Sequence, residues 1–195
     1  MALRYALLGF LSLRPLTGYD LKRLFDTSVQ HFWTADQAQI YRTLAQLAEE
    51  GLVEVRVVAQ GKRPDRKEHR LTEAGLSELE AWLRSPLQSL PVREPFLLRL
   101  FFAGRLPKEE VSALFNARRA EAEELLGELE GLLAELSVGR SGRAPDQSQR
   151  LQLATLDNGI RHVRAELEWL ESLTTQIKAS RKRPNQPRKA SNEKN

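Results

Sequence analysis

The stretch TADQAQIYRTLAQLAEEGLVEVRVV, residues 34–58, holds two periodicities separated by one glycine. Up to Glu50 the apolar residues recur at helical spacing, with Ile40, Leu44 and Leu47 on one face. Thr34 and Gln37 fit the capping box, so a helix is expected from about Ala35 to Glu50, with Gly51 as its left-handed stop. From Leu52 to Val58 the pattern becomes β-branched and alternating, which reads as a strand. A loop over 60–67, carrying Gly61 and Pro64, and a short return strand from Glu68 to Leu71 complete a hairpin.

Working outward, Leu3, Leu7, Phe10 and Leu11 follow the spacing of an amphipathic first helix, ended by Arg14-Pro15-Leu16. Thr17 stands three residues before Asp20, a capping-box spacing, and opens a second helix with Leu21, Leu24 and Phe25 on its buried side. His31-Phe32-Trp33 is an aromatic connector, and Thr72 caps a fourth helix that Pro86 ends. Three helices, a hairpin and a helix within residues 1–86 is the order of a winged helix-turn-helix domain.

Residues 87–95 read as a proline-marked linker, and the rest as helix. The run Phe96 to Phe102 is dense enough to expect burial on several sides. Pro107 opens a long helix with Val111, Phe115, Arg118, Ala122, Leu125, Leu129, Leu132 and Leu136 at heptad positions, Arg118 being the misfit. After a loop over 137–146, a second long helix places Leu153, Leu156, Ile160, Val163, Leu167, Leu170, Thr174 and Ile177 likewise. The expected fold class is therefore mainly α with a small β-hairpin: a winged domain followed by an antiparallel helical region over 96–178. The bland reading is that both stripes pack on each other and on Phe96 to Phe102 within one chain; a lone two-helix hairpin would leave half of each stripe wet, so the region is expected to hold two subunits together. Leu153, Leu156, Ile160, Val163, Leu167 and Leu170 are the candidate dimer-interface residues. Trp169 reads as packing rather than as a ligand platform. Residues 179–195 carry no stripe and are expected to be a disordered basic tail.

The net charge of +4 is misleading as a clue. The tail holds six Lys and Arg against one acidic residue, net +5, so the remainder is net −1. Only the local pattern can argue for a nucleic-acid partner. There are no cysteines, hence no disulfides and no thiolate metal site. The longest early apolar run, Ala6 to Leu11, is far short of a membrane span. The histidines at 31, 69 and 162 have no ligand spacing, and HExxH, P-loop and GxSxG motifs are absent from the sequence. No enzyme, metal or cofactor is expected, and a reducing cytoplasm is the natural setting.

The helix in the opening stretch carries the functional signal. Opposite its buried face lie Ala35, Ala38, Gln39, Arg42, Ala45, Gln46 and Glu49. The alanines allow close approach, while Gln39, Arg42 and Gln46 bear the groups that bond base edges. Tyr41 flanks this face, where its hydroxyl could meet a phosphate. The bland alternative is an amphipathic helix with a wetted side. The hairpin adds Arg56, Lys62, Arg63, Arg66, Lys67 and Arg70 against Asp65 and Glu68, net +4 between residues 56 and 70. Lys62, Arg63, Arg66 and Lys67 form a basic finger suited to phosphates, and a solubilising loop is its bland counterpart. A helical adaptor, or a small-molecule-binding protein whose winged domain contacts protein, is the rival function.

Leu8-Gly9-Phe10-Leu11, Thr17-Gly18-Tyr19-Asp20-Leu21, Gln39-Ile40-Tyr41, Leu44 to Leu47, Glu49-Glu50-Gly51-Leu52-Val53, the Arg63-Pro64 to Lys67 wing and Arg70-Leu71-Thr72-Glu73-Ala74-Gly75 resemble the PadR family of bacterial transcriptional regulators. Phe32-Trp33 and Phe96 to Phe102 resemble its subgroup with a helical C-terminal region, similar to the virulence activator AphA. The resemblance covers about residues 3–178. It implies a cytoplasmic, nucleoid-associated homodimer that binds double-stranded operator DNA, a repressor more than an activator. It also implies a small aromatic effector, since some members respond to phenolic acids. Arg42 departs from the pattern where Pro often follows the Tyr, and His69 departs where Tyr is usual.

Overall fold

The computed structural model describes residues 2–60, 63–87, 93–138 and 144–179. They fall into two compact units, residues 1–91 and 92–195.

In the first unit, α1 (Ala2–Leu13) buries Leu7, Leu8 and Leu11 along one side. Strand β1 (Leu16–Thr17) leads into α2 (Gly18–Leu24), which opens with the expected capping box. Thr17 Oγ1 accepts from the Asp20 amide at 3.0 Å, and Asp20 Oδ2 accepts from the Thr17 amide at 3.2 Å. The helix widens into a π turn over Phe25–Val29, where Phe25 is buried edge-on to Phe10 at 5.1 Å between centroids. Helix α3 (Gln37–Glu49) seats Ile40, Leu44 and Leu47 in the core, all at or below 1% exposed. Burying each contributes about 2 kcal/mol, so the inner face of α3 fixes the direction of its outer one. Gly51, at φ 72°, ends α3 in the left-handed conformation. Strands β2 (Val53–Gln60) and β3 (Arg63–Leu71) pair antiparallel, and Thr72 caps α4 (Glu73–Arg84) by accepting from the Gly75 amide at 3.0 Å.

Four expectations change here. Helix α3 starts two residues late: Asp36, not Thr34, is its cap, with Gln39 as the reciprocal partner. Both pairs have the right spacing, and the one that wins lets Ala35 enter the core, 9% exposed, rather than line the outer face. The hairpin is longer than expected, because the ladder runs to Gln60↔Arg63, with an irregularity between Val58 and Gln60. The segment 63–67 is therefore strand and not a loose finger. The sheet has a third member: β1 pairs with β3 through Leu16↔His69 and Thr17↔Glu68, giving the order β1-β3-β2.

In the second unit, α5 (Pro95–Phe102) and a 3-10 turn (Ala103–Arg105) precede α6 (Lys108–Val138) and α7 (Gln147–Ala179). Helix α6 begins just after Pro107, whose carbonyl accepts from the Glu110 and Val111 amides. Ala122 and Leu129 of α6 pack with Leu156, Ile160 and Val163 of α7, joined by Leu125, Leu126, Leu132, Leu133 and Leu167. The misfit Arg118 proves to be a cross-helix clamp: its Nε and Nη2 donate to both Glu166 oxygens, at 2.7 and 2.9 Å. A carboxylate facing it removes the conflict that the heptad pattern shows.

Two burial patterns in this unit bear on the expected interface. Leu156, Ile160, Val163 and Leu170 are buried within one chain, at 7% exposure or less, so the α7 stripe is largely spent on the hairpin itself. Neighbouring α6 leucines off the strict heptad, Leu126 and Leu133, widen the contact and cover what two narrow stripes would leave wet. Conversely, no residue of α5 is buried, and Leu98, Phe101 and Phe102 are 64%, 81% and 59% exposed. Trp169, 37% exposed, meets Phe96 edge-on at 6.2 Å between centroids. Among the described residues no helix is long and apolar enough to cross a membrane. The expected tail beyond Ala179 lies outside the described residues.

Candidate nucleic-acid interface

Once Ile40, Leu44 and Leu47 are anchored, the 100° step of α3 sends Ala38, Gln39, Arg42, Ala45, Gln46 and Glu49 outward, and all six are exposed. Gln39, Arg42 and Gln46 lie at i, i+3 and i+7, hence on one stripe. Arg42 makes no hydrogen bond or ion pair among the described residues. The two glutamines are already engaged. Gln39 Oε1 accepts from the Asp36 amide at 3.4 Å, and Gln46 Nε2 donates to Glu50 Oε1 at 3.0 Å.

Tyr41 is 45% exposed and its ring lies against Gly18 at the start of α2. A Cβ at Gly18 would fall 2.6 Å from Tyr41 Cε1, so only glycine lets α2 and α3 meet this closely. This contact holds the Tyr41 ring beside the α2 N-terminus, where backbone amides favour anions.

The hairpin places its cations on both sheet faces. Arg66 Nη2 donates to Asp20 Oδ2 at 3.0 Å and lies 3.5 Å from Glu68 Oε1. The Thr17 hydroxyl and amide, then the nearby Arg66 and Arg14 cations, hold the Asp20 carboxyl below the usual Asp range despite some burial. Arg66, itself exposed, thus links β3 to the capping box of α2 through a surface ion pair. Lys67, opposite Val57, is exposed on the alternate face. Arg63 opens β3 opposite Gln60, and Lys62 lies outside the described residues.

The structure also brings in residues the sequence reading passed over. Arg4 of α1 donates to Glu50 Oε2 at 2.5 Å and lies 4.0 Å from Glu78 of α4. Gln46 and Glu50 are an i, i+4 pair readable in the sequence; Arg4, 46 residues away from Glu50, is not. The histidines stand apart. His31 is edge-on to Phe32, and His162 Nδ1 bonds the carbonyl of Asn158 on its own helix. His69 is 7% exposed, with Nδ1 unpartnered; burial pushes its imidazole below the ordinary value, against a bond to the Leu16 backbone.

Comparison with known proteins gives this geometry a context. Residues 7–81 match the transcriptional regulator PadR-like family, and residues 92–178 match the virulence activator alpha C-term family. The negative transcriptional regulator PadR of Bacillus subtilis is 33% identical over 181 residues, 90% of this chain and 97% of that protein. The crystal structure of B. subtilis PadR in complex with operator DNA superposes with a TM-score of 0.78 at 32% identity, covering 91% of this chain and 99% of that one. The same regulator in complex with p-coumaric acid gives 0.73 at 30% identity, covering 90% and 95%. A winged helix-turn-helix with an exposed polar α3 face, followed by the matched helical region, places this chain in the PadR family of transcriptional regulators.

Proposed function

We propose that this chain is a homodimeric repressor that binds two-fold operator DNA, α3 of each subunit lying in the major groove. The observation that carries the reading is the outer face of α3: Gln39, Arg42 and Gln46 aligned, with Ala38 and Ala45 keeping the surface low between them. Donors and acceptors on a slim helix are what base edges in the major groove require. Tyr41, Lys62, Arg63 and Lys67 contact flanking phosphates, while Arg66 keeps the hairpin in place. The operator complex of the Bacillus subtilis relative supports DNA as the partner, and that relative's role as a negative regulator favours repression.

The second unit joins two subunits. Because the α7 stripe is mostly buried within one chain, the partner is met chiefly by α5, through Leu97, Leu98, Phe101 and Phe102, with the half-buried Leu153 and Leu167 as secondary contacts. Apolar side chains clustered on one short exposed helix favour an interface. Two reading heads about 34 Å apart would then engage successive turns of one duplex face. A small aromatic acid is the effector class we infer, on the strength of the p-coumaric acid complex of the relative.

Footprinting on the DNA upstream of the chain's own gene, with and without phenolic acids, tests all three parts. Two protected half-sites about one turn apart, lost on adding the acid, are expected. Binding that ignores salt, or that prefers no promoter fragment over random competitor, would favour the protein-adaptor rival.

A further inference from the structure

The two glutamines of the reading face are held in opposite senses, and the sense of each is fixed by its partner. An ionised carboxylate can only accept, so the nitrogen of the Gln46 carboxamide must be the end that faces Glu50, at 3.0 Å. Glu50 is itself held from the other side by Arg4 at 2.5 Å, which is braced near Glu78. Glu78 in turn accepts from the Tyr5 hydroxyl at 3.1 Å, and the Tyr5 ring stacks on Trp82 at 4.7 Å. The chain Gln46–Glu50–Arg4–Glu78–Tyr5–Trp82 thus runs from the outer face of α3 across α1 to α4. At the other end of α3 the backbone amide of Asp36 takes the oxygen of Gln39, leaving its NH2 as the free end.

Resting on the DNA-binding reading above, we propose that Glu50 and Arg4 are positioning residues that fix the Gln46 carboxamide oxygen outward, so that Gln46 selects adenine in its half-site. With the nitrogen end turned to Glu50, Gln46 offers one acceptor and one remaining amide hydrogen. Adenine presents the complement, the N6 amine beside N7. Guanine presents two acceptors, N7 and O6, and O6 would face the Gln46 oxygen. A free glutamine could turn over and lose this distinction at little cost; the Glu50 carboxylate makes the turn unfavourable by leaving two oxygens in contact. Gln39, presenting its NH2, favours acceptor edges instead. The recognition face is therefore polarised, donors at Gln39 and Arg42 and an acceptor at Gln46.

Selection from a randomised duplex library, followed by sequencing, tests this with the full chain. The wild type should favour A·T over G·C on the order of tenfold at one position per half-site, and Gln46→Ala should flatten that position alone. Glu50→Ala and Glu50→Gln should bring the ratio toward parity there while leaving the other positions and the thermal midpoint in place. Arg4→Ala should do the same in part, and Arg4→Lys, which keeps the ion pair, should restore it. A purely structural role for Glu50 would lower the melting point without touching base preference. An unchanged A·T preference in both Glu50 variants overturns the proposal, as does a Gln46→Ala variant that alters no position. In both cases DNA recognition itself would stand. A wild-type protein that enriches no sequence removes the DNA-binding reading and this proposal together.

Discussion

Arg42→Ala isolates DNA reading from folding better than any other change on α3, because Arg42 is exposed and has no partner among the described residues to lose. At a rise of about 1.5 Å per residue, Gln39, Arg42 and Gln46 spread over about 10 Å of helix axis. Base pairs stack about 3.4 Å apart, so the three side chains span about three to four of them, with Arg42 at the centre. A bidentate Arg–guanine contact discriminates by about 1–3 kcal/mol. A two-fold dimer makes the contact twice, so the loss is about 2–6 kcal/mol, between about 30-fold and 10⁴-fold in operator affinity. Fluorescence anisotropy with a labelled operator and a random duplex of equal length, at constant salt, reads both numbers. The operator loss should far exceed the random-duplex loss. Equal losses on the two duplexes, with a salt slope reduced by about one per contact, would make Arg42 a phosphate ligand and refute the base-reading argument. An operator loss below about threefold would remove Arg42 from the interface.

Other perturbations test the parts that hold this face in place. His69 is buried with its imidazole depressed, so the unfolded chain binds the proton more readily; stability is full above about pH 6.5 and falls below it, and thermal melts at pH 7.5 and 5.5 should differ less in His69→Phe than in the wild type. A Cβ at Gly75 would lie 2.2 Å from the Leu52 carbonyl, so Gly75→Ala should cost roughly 2–4 kcal/mol in urea unfolding, whereas Gly9→Ala, with nothing within 4 Å, should be neutral or slightly stabilising. Glu166→Ala should cost about 1–2 kcal/mol in the transition of the second unit by leaving Arg118 half-paired, and Arg118→Leu with Glu166→Leu should recover it; a larger loss in the double variant would contradict the clamp. Phe101→Glu, at 81% exposure in the single chain, should leave the fold intact yet yield monomers in light scattering; a dimer of unchanged affinity would move the interface away from α5.

The sequence exposed what repeats and hid what is brief or distant. The α3 register was legible because Ile40, Leu44 and Leu47 are spaced by the helix itself, and their burial dictates where Gln39, Arg42 and Gln46 face. The start of α3 was not, since Thr34/Gln37 and Asp36/Gln39 both satisfy the same spacing, and only the burial of Ala35 decides between them. Strand β1 is two residues long, too short for an alternation to register, and it exists because β3 offers an edge at Glu68 and His69. Gly61 and Pro64 signal a loop, while the ladder of cross-strand pairs such as Arg56↔Glu68 and Val58↔Arg66 continues to Gln60↔Arg63 and takes Pro64 into β3.

The same distinction explains the site. Composition marks Arg66 as one more cation in a basic hairpin, and by that measure it equals Lys67. The fold separates them by pleat: both are exposed, but Arg66 turns to Asp20 and links β3 to the cap of α2, while Lys67 points to the alternate face. Because Asp20 also closes the α2 capping box, and α2 bears on Tyr41 through Gly18, one carboxylate and one glycine add a link between the hairpin and α3 to the core that both share. On the proposed DNA-binding reading, a cation that ties the hairpin to α2 would bear on where Lys67 stands, which charge counting along the sequence cannot reveal. The same logic applies to Arg118, which reads as a flaw in a heptad until Glu166 is found across from it. In both units the charged residues that matter are identified by their partner in space, 46 and 48 residues away along the chain.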